Sequence, residues 1–212
     1  MCNLYNMVSN IDAIRRLFAP IYDRPMNLPL FDEIYPRGQA PVITANEGVR
    51  SLSLMNWGVP LPQRDKAPKF ITNVRNLESP LWRGFLKDPA NRCLVPATSF
   101  CEWTDSRPKR KIWFSLEETE IFAFAGLWRR WTGVIKDKRQ DLNVFAFLVC
   151  EPNGLVEPVH AKGMPVILKP DDYDAWLTGT PDRAARLQRP FPAEEMCKAE
   201  PAEPADDQIR LL

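Results

Sequence analysis

Arg92-Cys93-Leu94-Val95-Pro96-Ala97 is an apolar run behind a single arginine, and it leads directly into Thr98-Ser99-Phe100-Cys101-Glu102-Trp103. The first six residues read as a buried strand. The continuation sets Glu102 between apolar neighbours, where a carboxylate is either paired or has a raised pKa and serves as an acid or base; exposure at a strand end is the plain alternative. Short pieces of the same kind recur on both sides. Upstream, Ala40-Pro41-Val42-Ile43-Thr44 and Ser51-Leu52-Ser53-Leu54-Met55 are extended, the second alternating as a half-buried strand does. Downstream, Lys111–Leu116 and Ile121–Ala125 flank Glu117-Glu118-Thr119-Glu120 and read as a hairpin with a charged tip. Gly126-Leu127-Trp128 extends its second strand, and a turn region over Gly133–Asp141 separates that strand from the apolar Asn143–Cys150. The 21 prolines are spread along the chain and read as turns between many short strands.

Helices are few. Ser9 with Asp12 three residues on resembles a capping box, Ile14, Leu17 and Phe18 share one face, and Pro20 stops the segment, so a helix is expected over about 10–19. Asp171–Leu177 is a second short helix stopped by Gly179, and Pro181–Gln188 a third, opened by proline. A chain of 212 residues with 45% hydrophobic content can bury one sizeable core, which points to a single domain over residues 1–190. From 191 to 212 the repeated Ala, Glu and Pro predict an acidic, disordered tail.

The net charge of +1 hides that tail's −4, which leaves residues 1–190 at +5. This mild excess permits nucleic-acid binding without requiring it, because neutralising phosphates depends on local clusters of Lys and Arg. The five cysteines are an odd set without a C-x-x-C pair, and the single histidine, His160, is far from all of them in sequence. Neither a disulfide framework nor a zinc module is expected, and Cys93, Cys101 and Cys150 read as small buried hydrophobes. No apolar run approaches the ~20 residues of a membrane span, and the N-terminus lacks the basic-then-apolar layout of a secretory signal. A cytoplasmic monomer without membrane partner, metal or cofactor is expected.

The chain opens Met1-Cys2-Asn3-Leu4-Tyr5-Asn6-Met7. Once Met1 is removed, Cys2 carries a free α-amine and a thiol that can both reach one aldehyde carbon. The amine forms an imine and the thiol closes on it to give a five-membered thiazolidine. Reference pKa values of about 8 for the amine and about 8.5 for the thiol leave both partly nucleophilic near neutral pH. A cysteine at position two is otherwise an accident of the chain start. Ile71–Pro80 is too polar for a core strand, and an extended backbone there puts Asn73 and Arg75 on one face, an amide to orient a reacting group and a guanidinium to grip phosphate. Asn56-Trp57-Gly58-Val59-Pro60 has two readings: Trp57 as a core residue at a bend, or as a flat surface for a nucleobase. His160 is the sole candidate for imidazole chemistry near neutral pH.

Taken in order, these motifs resemble the SOS response-associated peptidase (SRAP) domain family, whose members capture abasic sites in single-stranded DNA. The resemblance rests on Met1-Cys2, Trp57–Pro60, Asn73-Val74-Arg75, Arg92–Pro96 with Glu102-Trp103, Ala125–Trp128, and His160 before Met164–Leu168. It implies an α+β fold, with curved antiparallel strands forming a barrel-like core beside a few helices. It also implies Cys2 as nucleophile, Asn73 as the group orienting it, Glu102 and His160 as proton carriers, and Arg75, Trp57, Trp103 and Asn3 as DNA contacts. The implied product is a covalent thiazolidine crosslink that shields the abasic site, with lyase side activity, self-removal of Met1 and association with the nucleoid on damage as further implications. The alternatives are a thiol peptidase acting on proteins and a non-covalent single-stranded nucleic-acid binding module. Two departures stand out: Asn3-Leu4 replaces the family's Gly-Arg, and His160 is four positions from Met164, where three are usual.

Overall fold

The computed structural model describes residues 2–9, 11–18, 21–22, 31–64 and 66–199. In chain order these form β1 (Tyr5–Met7), α1 (Ile11–Phe18), β2 (Ile21–Tyr22), β3 (Phe31–Ile34), β4 (Gln39–Asn46), β5 (Val49–Trp57), β6 (Val59–Gln63), β7 (Lys66–Ile71) and β8 (Asn73–Val74). There follow α2 (Pro80–Lys87), β9 (Arg92–Ala97), β10 (Ser99–Trp103), β11 (Lys111–Leu116), β12 (Phe122–Ile135), β13 (Lys138–Cys150), β14 (Met164–Pro165), β15 (Ile167–Leu168), α3 (Tyr173–Leu177), α4 (Pro181–Ala185) and β16 (Met196–Ala199).

The α+β expectation holds. β13, β12, β9, β4 and β5 lie side by side, and β5 returns to pair parallel with β13 at Val144↔Asn56 and Phe145↔Trp57, closing a five-stranded barrel. Closure leaves no open edge within the ring. A second sheet, ordered β16-β11-β10-β1-β3, lies beside it. The run Arg92–Ala97 is central: β9 is buried at all six positions, between β12 and β4, as an apolar run in a strand covered on both faces should be. At Gly126 on β12 any Cβ would lie 2.7 Å from Cys93 Sγ and 2.9 Å from a Val95 methyl, so only glycine lets these two strands' contents fit.

Tyr5 of β1 locks the two sheets together. Its ring meets Trp57, Phe124 and Phe147 edge-on at centroid distances of 5.2, 5.6 and 5.9 Å, geometry that the ring quadrupoles favour. Trp57 in turn stacks on Phe147 at 5.0 Å and donates its indole N–H to Thr72 O at 3.0 Å.

Three expectations are corrected. β11 does not form a hairpin with β12; it pairs with β10 and β16, and Glu117–Glu120 carries the chain from one sheet to the other. Alternation settles which face of a strand is buried but not which strand lies beside it. The turn expected over Gly133–Asp141 shrinks to Lys136-Asp137, both at positive φ (49° and 62°), the geometry of a two-residue hairpin turn that matches strand twist. The tail expectation fails for 191–199: Phe191 and Met196 are buried and β16 completes the edge of the second sheet, Met196 opposite Leu116. Two apolar anchors and a free strand edge outweigh a composition averaged over 22 residues. Residues 200–212 lie outside the described part, as do the ends of the expected helix at 10 and 19. Among the described residues no helix is long and apolar enough to cross a membrane.

Candidate active site

The antiparallel register of β1 with β10, Tyr5↔Phe100, continues through the Cys101 N–H to Leu4 O bond at 2.9 Å and brings Cys2 alongside Glu102. The Cys2 side chain is fully buried, its Sγ 3.4 Å from Leu4 O and 3.9 Å from Cys101 O. β8 pairs parallel with β13 at Phe147↔Asn73, and this places the Asn73 amide at the same end of the barrel. Asn73 Nδ2 donates to Cys2 O at 2.9 Å and to Thr72 Oγ1 at 2.8 Å. Glu102, 3% exposed, faces His160 with Oε2 3.7 Å from Nδ1. Residues 2, 73, 102 and 160 therefore converge from four separate stretches of the chain, and with the longer His160–Met164 spacing the imidazole lies against Glu102.

Electrostatics push acid and base toward their neutral forms. Burial raises the Glu102 carboxyl to about 7, opposed by the positive chain terminus. Burial, then the same terminal charge and Lys162, lowers His160 below its ordinary value. At neutral pH the pair can thus hold a transferable proton on Glu102 and an empty acceptor on His160. Burial, then the Glu102 charge, holds the Cys2 thiol well above its usual pKa. Among the described residues, Glu102 Oε1 and Asn73 Oδ1 are buried acceptors that meet no donor. Such acceptors cost about 1–3 kcal/mol each, so the site favours an occupant bearing donors.

The expected DNA contacts divide. Asn3 is exposed and Trp103 is 41% exposed, both near Cys2. Leu4 is buried, so no cation stands next to Cys2 on its own strand. Arg75 is half-exposed and held by Glu151 Oε1 at 2.6 Å and by the Lys162 carbonyl. Gly163 permits this approach: at φ +129° its missing Cβ would strike both the Arg75 guanidinium and Cys150 O. Trp57 is a correction. It has no exposed surface and is clamped between Tyr5 and Phe147, so the core reading holds and no nucleobase can stack on it.

Two positioning residues escaped the sequence reading. Gln188 Nε2 donates to Arg75 O at 2.7 Å and Val149 O at 2.8 Å, tying β8 to β13 and so fixing Asn73. Asn153 Oδ1 accepts from Leu155 N and Val156 N, shaping the turn whose Val156 O then accepts the His160 N–H at 2.9 Å. A lone amide side chain at a helix end or in a turn carries no signal in sequence. Among the described residues no group of three or more His, Cys, Asp or Glu side chains is placed to hold a metal ion.

A family model described as SOS response associated peptidase (SRAP) matches residues 1–203. Among curated relatives, the abasic site processing protein YoqW of Bacillus subtilis (strain 168) is 29% identical over 92% of this chain and 90% of its own. The abasic site processing protein YoaM of the same organism is 28% identical over 92% and 88%. A crystal structure of a Bacteroides thetaiotaomicron protein superposes with a TM-score of 0.74 at 22% identity, covering 94% of this chain and 91% of that one, and so shares the fold. A Bordetella bronchiseptica protein does the same at 0.74 and 20%, covering 94% and 99%.

Proposed function

Because the chain belongs to the SOS response associated peptidase (SRAP) family, we propose that it processes abasic sites in single-stranded DNA by covalent capture on Cys2 after loss of Met1. The observation that carries this reading is the grip of the Asn73 amide on Cys2 O at 2.9 Å, with the Glu102–His160 pair beside it. The names of the relatives YoqW and YoaM support it.

Removal of Met1, by an aminopeptidase or by the protein itself, turns the Cys2 amide nitrogen into an amine at a carbonyl already held by Asn73. The abasic sugar in its open form offers an aldehyde. With the buried thiol kept as S–H, the amine attacks first: a C–N bond forms, the carbonyl π bond breaks, and the nitrogen passes its first proton to the carbonyl oxygen. His160 accepts the proton the nitrogen sheds, and Glu102 donates one to the departing hydroxyl, so one water leaves and an imine remains. The thiol then adds across C=N, forming the C–S bond and passing its proton to nitrogen. The imine also permits β-elimination, a lyase route that ring closure suppresses. An extruded or unpaired sugar is reached without unstacking a duplex, which favours single strands. Asn3 and Trp103 contact the strand, and Arg75 does so by exchanging Glu151 for a phosphate.

The test is a single-stranded oligonucleotide with one abasic site. It should give a product that survives denaturation, whereas intact DNA and an abasic site reduced by borohydride, which has no aldehyde, should give none. Equal crosslinking of all three contradicts the proposal. Salt-labile binding indifferent to the abasic site would instead support the reversible binding module, and cleavage of added protein the peptidase.

The capture rate should also report Glu102. Its carboxyl, raised to about 7, is a donor below that pH and is lost as a donor as pH rises through it, while an ordinary α-amine, at about 8, becomes free only as pH rises. A bell-shaped profile follows. Glu102→Gln should lower the rate roughly 10²–10⁴-fold and abolish the alkaline limb; a variant that keeps both rate and limb refutes this role.

A further inference from the structure

The surface next to Trp103 carries features that the capture chemistry does not use. The connection from β10 to β11 bears Arg107, Lys109 and Arg110, all exposed, against the single acid Asp105. It is braced internally. Thr104 N–H donates to Arg110 O at 3.0 Å, Arg110 N–H donates back to Thr104 Oγ1 at 2.9 Å, and Ser106 Oγ lies 2.7 Å from Thr104 Oγ1 and 3.1 Å from Pro108 O. A cluster of cations on a braced loop can meet phosphates without first ordering its backbone.

From this loop a bridge crosses the end of β1. Lys111 Nζ lies 5.7 Å from the centre of the Trp103 ring and 2.5 Å from Glu33 Oε1, and the Tyr35 hydroxyl donates to the other oxygen of Glu33. The registers Tyr5↔Phe100 and Tyr5↔Ile34 put Asn3 and Cys2 between the two ends of this bridge. Trp103 and Tyr35, 41% and 48% exposed, thus leave aromatic faces in solvent on either side of the nucleophile. Aromatic faces interleaved with cations suit one occupant: bases stack on the rings while cations track the backbone, without sequence readout. Glu33 opposes no phosphate here, since Lys111 and Tyr35 already occupy both of its oxygens.

Resting on the function proposed above, we infer that the Thr104–Arg110 loop with Trp103, Lys111, Glu33 and Tyr35 forms a binding arm for the single strand flanking the reacting sugar. Arg107 and Lys109 take its phosphates, Trp103 and Tyr35 stack its bases, and Glu33 holds Tyr35 and Lys111 in place.

The test measures binding of an intact single-stranded oligonucleotide across a salt series. Arg107→Ser with Lys109→Ser should reduce the slope of log K against log salt by about 1.4, at ~0.7 per phosphate contact. Trp103→Ala and Tyr35→Ala should each weaken binding roughly 5- to 100-fold with the slope unchanged, as expected for loss of one stacked base. The loop variant and Tyr35→Ala should still form the adduct with 2-deoxyribose 5-phosphate, an aldehyde with no flanking strand, which shows that the fold and the nucleophile are intact. Wild-type slope and affinity in the loop variant, or no loss in either aromatic variant, overturns the arm. If the wild-type protein forms no adduct with abasic DNA or with the free sugar while the slopes change as stated, the capture reading falls and the arm stands.

Discussion

Cys2→Ala is expected to give no denaturation-resistant product with abasic single-stranded DNA, while a borohydride-trappable product persists. The two nucleophiles of residue 2 make separable contributions. Alanine keeps the α-amine once Met1 is gone, so imine formation continues beside Asn73, Glu102 and His160. Without sulfur the imine cannot close, and denaturation exposes it to hydrolysis. Borohydride reduces C=N to a stable amine, which preserves in the variant a bond that would otherwise be lost. Stable crosslinking at wild-type yield in Cys2→Ala would eliminate the thiazolidine. The mass of the variant's N-terminus adds a second reading: Met1 retained in Cys2→Ala but lost from the wild type means that Cys2 removes it, and the trapped product then disappears as well. Burial of the thiol leads to the same order of events. A thiol pushed well above its ordinary pKa is a poor first nucleophile, whereas the amine needs only release from its peptide bond.

The residues proposed to carry this chemistry were legible because each belongs to a short motif, but their meeting was not. Asn73 and Cys2 are 71 positions apart, and their contact depends on β8 finding β13 and β1 finding β10. Local patterns foretold β5, β9 and the interior half of β13, where burial follows side-chain alternation or an unbroken apolar run. They misjudged β11, because a strand's partner is chosen by the whole sheet. Trp57 shows the limit from another side. Its glycine neighbour and bend suit an exposed stacking surface and a core corner equally, and only the arrival of Tyr5 and Phe147 on its two sides settles the matter. Tyr35 escaped notice for the converse reason: a tyrosine before a proline reads as packing, whereas here its ring stands in solvent with its hydroxyl on Glu33.

Arg92→Ala is expected to lower the unfolding free energy by about 3–5 kcal/mol, because it strands the backbone carbonyls that the guanidinium satisfies. Arg92 has no exposed surface, and its guanidinium is held by backbone carbonyls. Nε and Nη2 donate to Leu86 O at 3.0 and 2.7 Å, while Nη1 donates to Trp176 O at 3.0 Å and Gly179 O at 2.6 Å. These carbonyls end α2 and α3, where a helix leaves its last C=O groups unpaired, so one planar cation caps two helices and pins them to β9. Alanine would leave two buried acceptors and a third, partly buried one without donors, at about 1–3 kcal/mol for each buried one, partly offset because the cation no longer has to be desolvated. Arg92→Lys should recover little, since a single ammonium cannot reach acceptors on both helices from one position. Arg92→Met separates packing from bonding: it fills similar volume yet donates nothing, so it should remain well below the wild type in urea unfolding. A methionine variant as stable as the wild type would mean that the arginine acts only as filler, and the reading of Arg92 as the anchor that pins both helices to β9 would fail.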